Sequence, residues 1–290
     1  MGSALIPKLI GAGHTVCRLM RPGQREKEGA EGFAVAWNPE TGELGGAAVG
    51  PDAVINLAGA SIAAGRWTAA RKELLRASRI NSTRALINAL AKMNARPKVL
   101  ISASATGIYG DRGDELLTEE SEPGEDFLAV TARDWEAEAM KTEALGIRVV
   151  RVRFGIILAK HGGALPQMMI PFRFGLGGKL GTGRQWMSWV TLEDAVGMLR
   201  FALDNAGVNG AMNVVSPQPV RNAEFTQALA HAMGRPALFT APAFALRLAM
   251  GEMADALLLA SQRATPKVMG KMGFAFRQAE IVSALDSVLN

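Results

Sequence analysis

Short apolar runs separated by turn-forming residues, alternating with longer segments of helical periodicity, set the first expectation for this chain. Thr15 to Met20, Phe33-Ala-Val-Ala-Trp37, Ala53-Val-Ile-Asn-Leu-Ala58, residues 98–103 and Ile147-Arg-Val-Val-Arg-Val-Arg153 read as strands. The run at 53–58 is apolar at nearly every position, the pattern of a strand covered on both faces. Helical patterns fall between them: residues 3–10, stopped by Gly11 and Gly13; Thr68 to Met93, ending before Pro97; and residues 126–145. Strands alternating with helices of this length predict an α/β fold built on a parallel, doubly wound sheet.

The texture changes after residue 160. Phe172 to Gly183 is dense in glycine and reads as a loop plus hairpin. Thr191-Leu-Glu-Asp194 has the spacing of a capping box opening a helix to about Asp204, and Ala211 to Val215 reads as a short strand. A helix follows Arg221, and from Pro236 the chain is mostly helical, apolar and rich in methionine. The expected organisation is a nucleotide-binding domain over residues 1–160, joined by 185–215. A smaller, mostly helical substrate domain would occupy 161–290 and pack directly against it.

Composition narrows the partners. The chain has 290 residues, 49% hydrophobic and 20% charged, so it can bury a sizeable core. Its net charge of +5 is spread along the sequence rather than blocked, which favours a phosphate-bearing small molecule over nucleic acid. No apolar run is long enough to span a bilayer and no signal peptide is visible. The single cysteine, Cys17, excludes an internal disulfide and suits a cytoplasmic setting. His14, His161 and His231 lie far apart with no partner at ligand spacing, so no metal site is expected.

Two features bear on chemistry. Arg21 follows the expected strand at 15–20, where an acid would accept the ribose 2′-hydroxyl of NAD and an arginine suits the 2′-phosphate of NADP; alone, it reads equally well as a solvated turn residue. Tyr109 is the only tyrosine, and the position four residues later is Gly113 rather than a lysine.

The motifs Ile55-Asn-Leu-Ala-Gly59, Gly65-Arg-Trp-Thr68, Ser78-Arg-Ile-Asn-Ser-Thr83, Ser102-Ala-Ser-Ala-Thr-Gly-Ile-Tyr-Gly110, Asp134-Trp-Glu136, Gly181-Thr-Gly-Arg-Gln185, Asn213-Val-Val-Ser-Pro217 and Gln262-Arg-Ala-Thr-Pro-Lys267 run in order over the chain. On these the sequence resembles the atypical extended short-chain dehydrogenases of the epimerase family, whose members are called YfcH-like or SulA-like. The resemblance implies a Rossmann-type fold and NADP(H), held by Gly2, Arg21, Asn56, Leu57, Ala58, Gly59, Arg79, Ser102 and Arg153. It implies Ser104 and Tyr109 as catalytic candidates, with Ser102 and Thr106 as alternatives to Ser104. The family's proton-transferring tyrosine and its lysine would fall near Leu128 and Ala132, which are apolar here. Glu119, Glu120, His161, Asp194 and Arg153 are other candidate proton carriers. Arg66, Trp67, Arg173, Arg184 and Trp186 could line a pocket for an anionic or flat ligand.

Against that family the sequence opens at Gly2, the last glycine of the phosphate turn, with the preceding strand and two glycines not present. The strands at 15–20 and 53–58 are then expected not to pair with each other. The function implied is an NADP(H)-dependent oxidoreductase or nucleotide-sugar-epimerase-like enzyme acting on a small molecule. The alternative is a non-catalytic NADP(H)-binding redox sensor or regulatory protein.

Overall fold

The computed structural model describes residues 1–21, 23, 31–45 and 50–290; Pro22, where a Pro-Gly turn is expected from the sequence, and Glu26, the first acid after Arg21, lie outside them. Helix α1 (Gly2–Ile10) leads into β1 (Cys17–Met20), β2 (Phe33–Asn38), β3 (Glu43–Leu44), β4 (Ala53–Asn56), α2 (Ala69–Ala91) and β5 (Val99–Ala105). A turn of 3-10 helix, Thr106–Tyr109, is followed by β6 (Leu116–Leu117), α3 (Phe127–Met140), β7 (Arg148–Phe154), β8 (Ile156–Leu158), α4 (Leu165–Arg173) and β9 (Gly178–Leu180). Then come β10 (Trp186–Met187), β11 (Trp189–Thr191), α5 (Leu192–Asp204), β12 (Gly210–Val214), β13 (Val220–Arg221), α6 (Asn222–Met233), β14 (Phe239–Ala241) and α7 (Ala243–Met250).

Four strands form the main parallel sheet in the order β12-β7-β5-β4. β1, β2 and β3 form a second sheet, in which β1 pairs with β2 and not with β4. Residue parity on β5 divides the core. Val99, Ile101 and Ala103 share one large apolar cluster with Val150, Val152, Met212, Val214, Leu5 and Leu9 and with Val196 and Leu199 of α5. Leu100 points the other way, to Ala139 of α3 and Val149. Every residue of β5 but Ala105 is buried, as a central parallel strand requires. Ser102 and Ser104 have the parity of Leu100, so their hydroxyls lie on the α3 side.

The C-terminal part has its own core, in which Leu158, Leu165, Phe172, Trp189, Phe225 and Leu229 pack with Ile281 and Leu285 of the helix Ile281–Leu289. Two expectations change here. Residues 172–183 are not a hairpin: Phe172 and Arg173 end α4, and β9 pairs in parallel with β14, some sixty positions away along the chain. Thr191 does cap α5, accepting from the Asp194 N–H, but the Asp194 carboxylate accepts from the Thr191 hydroxyl and from the backbone N–H groups of Arg277 and Gln278 rather than from the Thr191 backbone N–H. It ties the C-terminal segment to α5. α7 buries none of its residues, and Phe244 and Leu248 are 73% and 79% exposed.

Candidate functional site

The segment that follows β4 is pinned by side-chain hydrogen bonds. Asn56 is buried; its side-chain Oδ1 accepts from the Ala58 N–H (3.2 Å) and its Nδ2 donates to Thr83 Oγ1 (3.0 Å) on α2. This Asx-type turn leaves Ala58 and Gly59 exposed at the strand's C-terminal end. α2 holds the turn from outside: Ser78 Oγ accepts from the Ala60 N–H, and Arg79 donates to the carbonyls of Ala60 (3.0 Å) and Leu75 (2.9 Å). A Cβ at Gly59 would stand 3.4 Å from the Arg79 guanidinium carbon, so the turn lies directly against that cation. α1 starts beside the same cluster without a side-chain cap, and its Leu5 and Leu9 enter the core that Ile55 and Leu57 border.

One strand over, β5 delivers Ser104 into a closed polar network. Its hydroxyl donates to Glu136 Oε1 (2.7 Å) on α3. Arg153 grips the same carboxylate through Nε (2.8 Å) and Nη2 (2.9 Å), and Arg151 adds a third donor (3.1 Å). Arg153 Nη1 also donates to the Tyr109 hydroxyl (3.0 Å), which in turn donates to Asn213 Oδ1 (2.7 Å). Ser104, Tyr109, Glu136, Arg153 and Asn213 are all buried. Burial works against the Arg153 charge, yet the Glu136 hydrogen bonds and charge outweigh it and hold the guanidinium above its ordinary pKa. Burial pushes the Tyr109 phenol up, against the opposing pull of Arg153. Gly124 makes the crossing possible: a Cβ there would stand 2.7 Å from the Tyr109 carbonyl oxygen.

The network extends to Glu119, whose Oε1 accepts from the N–H groups of Asn213 (3.0 Å) and Val268 (3.2 Å) while Oε2 is sealed without a partner. Burial pushes this carboxyl above its ordinary value of about 4.5, although the backbone donors oppose it. A carboxyl raised in the folded state contributes stability below its unfolded pKa and loses it as pH rises through the folded value. Glu119→Gln is therefore expected to gain thermal stability relative to the unsubstituted chain as pH is taken from about 4.5 upward. A Tm difference that stays flat from pH 4.5 to 8 would contradict this.

The structure thus sorts the expected residues into two groups. Asn56, Leu57, Ala58, Gly59 and Arg79 gather at or behind the C-terminal end of β4, Gly2 is the first residue of α1, and Arg21, which is exposed, follows the end of β1. Ser104, Tyr109 and Arg153 belong to the closed network, with their donors committed to protein partners. Ser102 is buried between Asn56 and Arg151 on the neighbouring strands, and its hydroxyl has no hydrogen-bond partner. Thr106, at the mouth of β5, donates to Gln262 Oε1 (2.9 Å) and links the sheet to the C-terminal segment. Of the other proton-carrier candidates, Glu120 pairs with Lys267, His161 is exposed, and Asp194 is the tie described above. Arg66 and Trp67 lie on the loop before α2, Trp67 against Phe127, whereas Trp186 sits apart between the guanidinium groups of Arg221 and Arg263.

Glu136 and Asn213 carry no expected role in the sequence reading, although both stand in its quoted motifs. The available signal is Arg151 and Arg153, two apart on a strand whose neighbours are apolar. Two cations on one face of a buried strand require a carboxylate nearby.

Among the described residues no cluster of acidic, histidine or cysteine side chains could hold a metal ion, and no helix is long and apolar enough to cross a membrane. Comparison with known proteins fixes the family. Residues 1–215 match the NAD dependent epimerase/dehydratase family, and residues 241–288 match a domain of unknown function, DUF1731. The chain belongs to the NAD dependent epimerase/dehydratase family. It is 43% identical to the epimerase family protein Mb2239 of Mycobacterium bovis, over 98% of this chain and 93% of that protein. It is 42% identical to the epimerase family protein YfhF of Bacillus subtilis, over 100% of this chain and 94% of that one. Among solved structures, the human epimerase family protein SDR39U1 with NADPH superposes with a TM-score of 0.87 at 29% identity, covering 99% of this chain and 95% of the human one. A UDP-galactose 4-epimerase shares the fold with a TM-score of 0.73 at 17% identity, covering 99% of this chain and 93% of that one.

Proposed function

We propose that this epimerase-family chain binds NADP(H) along the C-terminal ends of β1, β4 and β5 and uses it in an oxidoreductase or epimerase-like reaction on a small molecule. The observation that carries the reading is the exposed Ala58-Gly59 turn, rigidly held by Asn56 and Arg79 beside the mouth of β5. Small residues on a fixed turn at the carboxyl edge of a parallel sheet let a nucleotide approach the backbone, and this edge is where such sheets bind their ligands. The uncapped start of α1 offers N–H groups of the kind that receive a pyrophosphate. The NADPH-bound human relative supports the choice of cofactor. Bound there, NADP(H) would supply hydride transfer, and the chain's own residues would orient it and manage the proton.

In this reading Ser104 and Tyr109 are positioned by Glu136, Arg153 and Asn213, so that the end of β5 presents a fixed surface to the ring. A second reading, a cofactor-occupied sensor without turnover, is favoured by one observation. Leu128 and Ala132, where the resemblance places the proton-transferring tyrosine and its lysine, line an apolar cavity instead.

A fluorescence titration of NADPH and of NADH into the full chain tests the cofactor. Saturable binding that prefers NADPH is the expected result, and no binding of either nucleotide would overturn the proposal. Consumption of bound NADPH by a carbonyl substrate, lost in Ser104→Ala, separates the enzyme from the sensor.

A further inference from the structure

The cavity at Leu128 and Ala132 holds about 40 Å³ and is walled by Ile62, Leu75, Phe127 and Trp135 as well, with Ala105 and Gly107 of the β5 end at its edge. Its one charged lining residue is Arg79. Arg79 is 9% exposed, its guanidinium lies over the Trp135 ring at 5.3 Å, and its hydrogen bonds go to two carbonyls. Among the described residues no carboxylate pairs with it; the nearest charge it feels is another cation, Arg71. Burial, and then Arg71, pull its pKa below the ordinary arginine value. An arginine nonetheless stays protonated in a folded protein, and an uncompensated buried charge is costly.

The other inward-facing arginines are accounted for differently. Arg153 and Arg151 share Glu136. Among the described residues Arg148 also lacks a carboxylate, but it donates to the carbonyls of Ala202 and Leu203 at the C-terminal end of α5, where the helix dipole favours a cation. Arg79 combines a buried cation with adjoining free space. That space exists because residues 128 and 132 are Leu and Ala: the larger tyrosine and lysine of the resemblance would occupy it.

We propose that this cavity is a carboxylate subsite, in which a small organic acid passes Gly107 and sets its carboxylate on Arg79. Several properties favour a carboxylate over a phosphate. The volume exceeds the ~30 Å³ share of one water but leaves little more than a planar group of that size. A carboxylate lies flat against a guanidinium edge and between apolar walls. A phosphate dianion would call for further donors, and the remaining lining side chains are apolar except Thr131, whose hydroxyl donates to the Phe127 carbonyl. Ala105 and Gly107 of the β5 end line the subsite, so under the cofactor reading the rest of the acid would lie beside the hydride-carrying ring. Only that last placement depends on the cofactor reading.

Isothermal titration of propionate into the full chain, with propionamide as the neutral isostere, tests the subsite with and without saturating NADPH. Propionate is expected to bind saturably and at least tenfold more tightly than propionamide. Ala132→Leu, which fills the cavity without touching Arg79, is expected to weaken propionate at least tenfold and to leave NADPH affinity within threefold. Arg79→Gln should do the same to propionate; because Arg79 also pins the turn at Ala60, the Ala132 variant decides if the Arg79 variant does not fold. Propionate binding no better than propionamide would overturn the proposal. So would propionate competing with NADPH, which would assign Arg79 to the cofactor's own phosphates. Propionate binding in a chain that takes up neither nucleotide would retain the subsite and remove the cofactor reading instead.

Discussion

Glu136→Gln will destabilise this protein by about 3–5 kcal/mol, the cost of leaving buried charge without its partner. Glu136 is the single carboxylate on which Arg153 closes with two donors, Arg151 with one and Ser104 with its hydroxyl. Glutamine keeps the shape and one acceptor oxygen but removes the charge, and it adds two N–H donors facing two guanidinium groups. For a chain of this size the loss corresponds to a fall in Tm on the order of 10 °C. The pair Glu136→Leu with Arg153→Met should cost clearly less than the sum of the two single changes, since the double change leaves only the partly exposed Arg151 without its carboxylate. Thermal and urea unfolding of the unsubstituted chain, Glu136→Gln, the two single changes and the double variant read this out. A Glu136→Gln loss below about 1 kcal/mol would mean that water reaches the network and screens it.

The same network shows where sequence reasoning ends. The strand 147–153 is legible from its apolar positions, and so is the helix 126–145, because each pattern is local. The bond between them is not. Arg153 and Glu136 are seventeen positions apart, and no periodicity states that α3 turns Glu136 rather than Asp134 toward β7. Asp134 pairs with Arg76 on α2 instead. The failed hairpin at 172–183 has the same origin. Glycine density announces turns, but β9 finds its partner in β14, and a parallel pair leaves no turn signature between its strands. Arg79 illustrates the limit for the candidate site. The buried side of α2 carries Arg79, Ser82 and Thr83 beside Leu75, Leu86 and Leu90. A polar patch inside a helix's buried stripe weakens the amphipathic signal at the very place where the site is built. The end of the strand at 53–58 is legible because a strand-to-turn glycine is a local pattern, whereas a cofactor role for its residues comes only from the family resemblance.

Arg21→Glu is expected to remove the preference for NADPH over NADH, from at least tenfold in the unsubstituted chain to parity or a preference for NADH. Arg21 follows the last residue of β1 and is exposed at the sheet edge where the proposed nucleotide lies. A 2′-phosphate placed there gains a charge-assisted hydrogen bond, worth about 1.5–3 kcal/mol, and each 1.4 kcal/mol is tenfold in affinity. Glutamate reverses the sign: it repels the phosphate and accepts from a free 2′-hydroxyl, as acids at this position do in NAD-binding sheets. Because the group is exposed, the discrimination should shrink as ionic strength rises and the Debye length falls from ~10 Å at 0.1 M salt to ~3 Å at 1 M. Paired fluorescence titrations of both nucleotides at two salt concentrations measure all of this. If Arg21→Glu keeps the original ratio, the 2′-phosphate is held elsewhere and Arg21 is a solvated turn residue. If both nucleotides weaken equally, the substitution has disturbed the turn itself. Only a change confined to NADPH, and sensitive to salt, places the adenosine end of the cofactor at the end of β1 and so orients the nicotinamide end toward Ser104 and the cavity beside it.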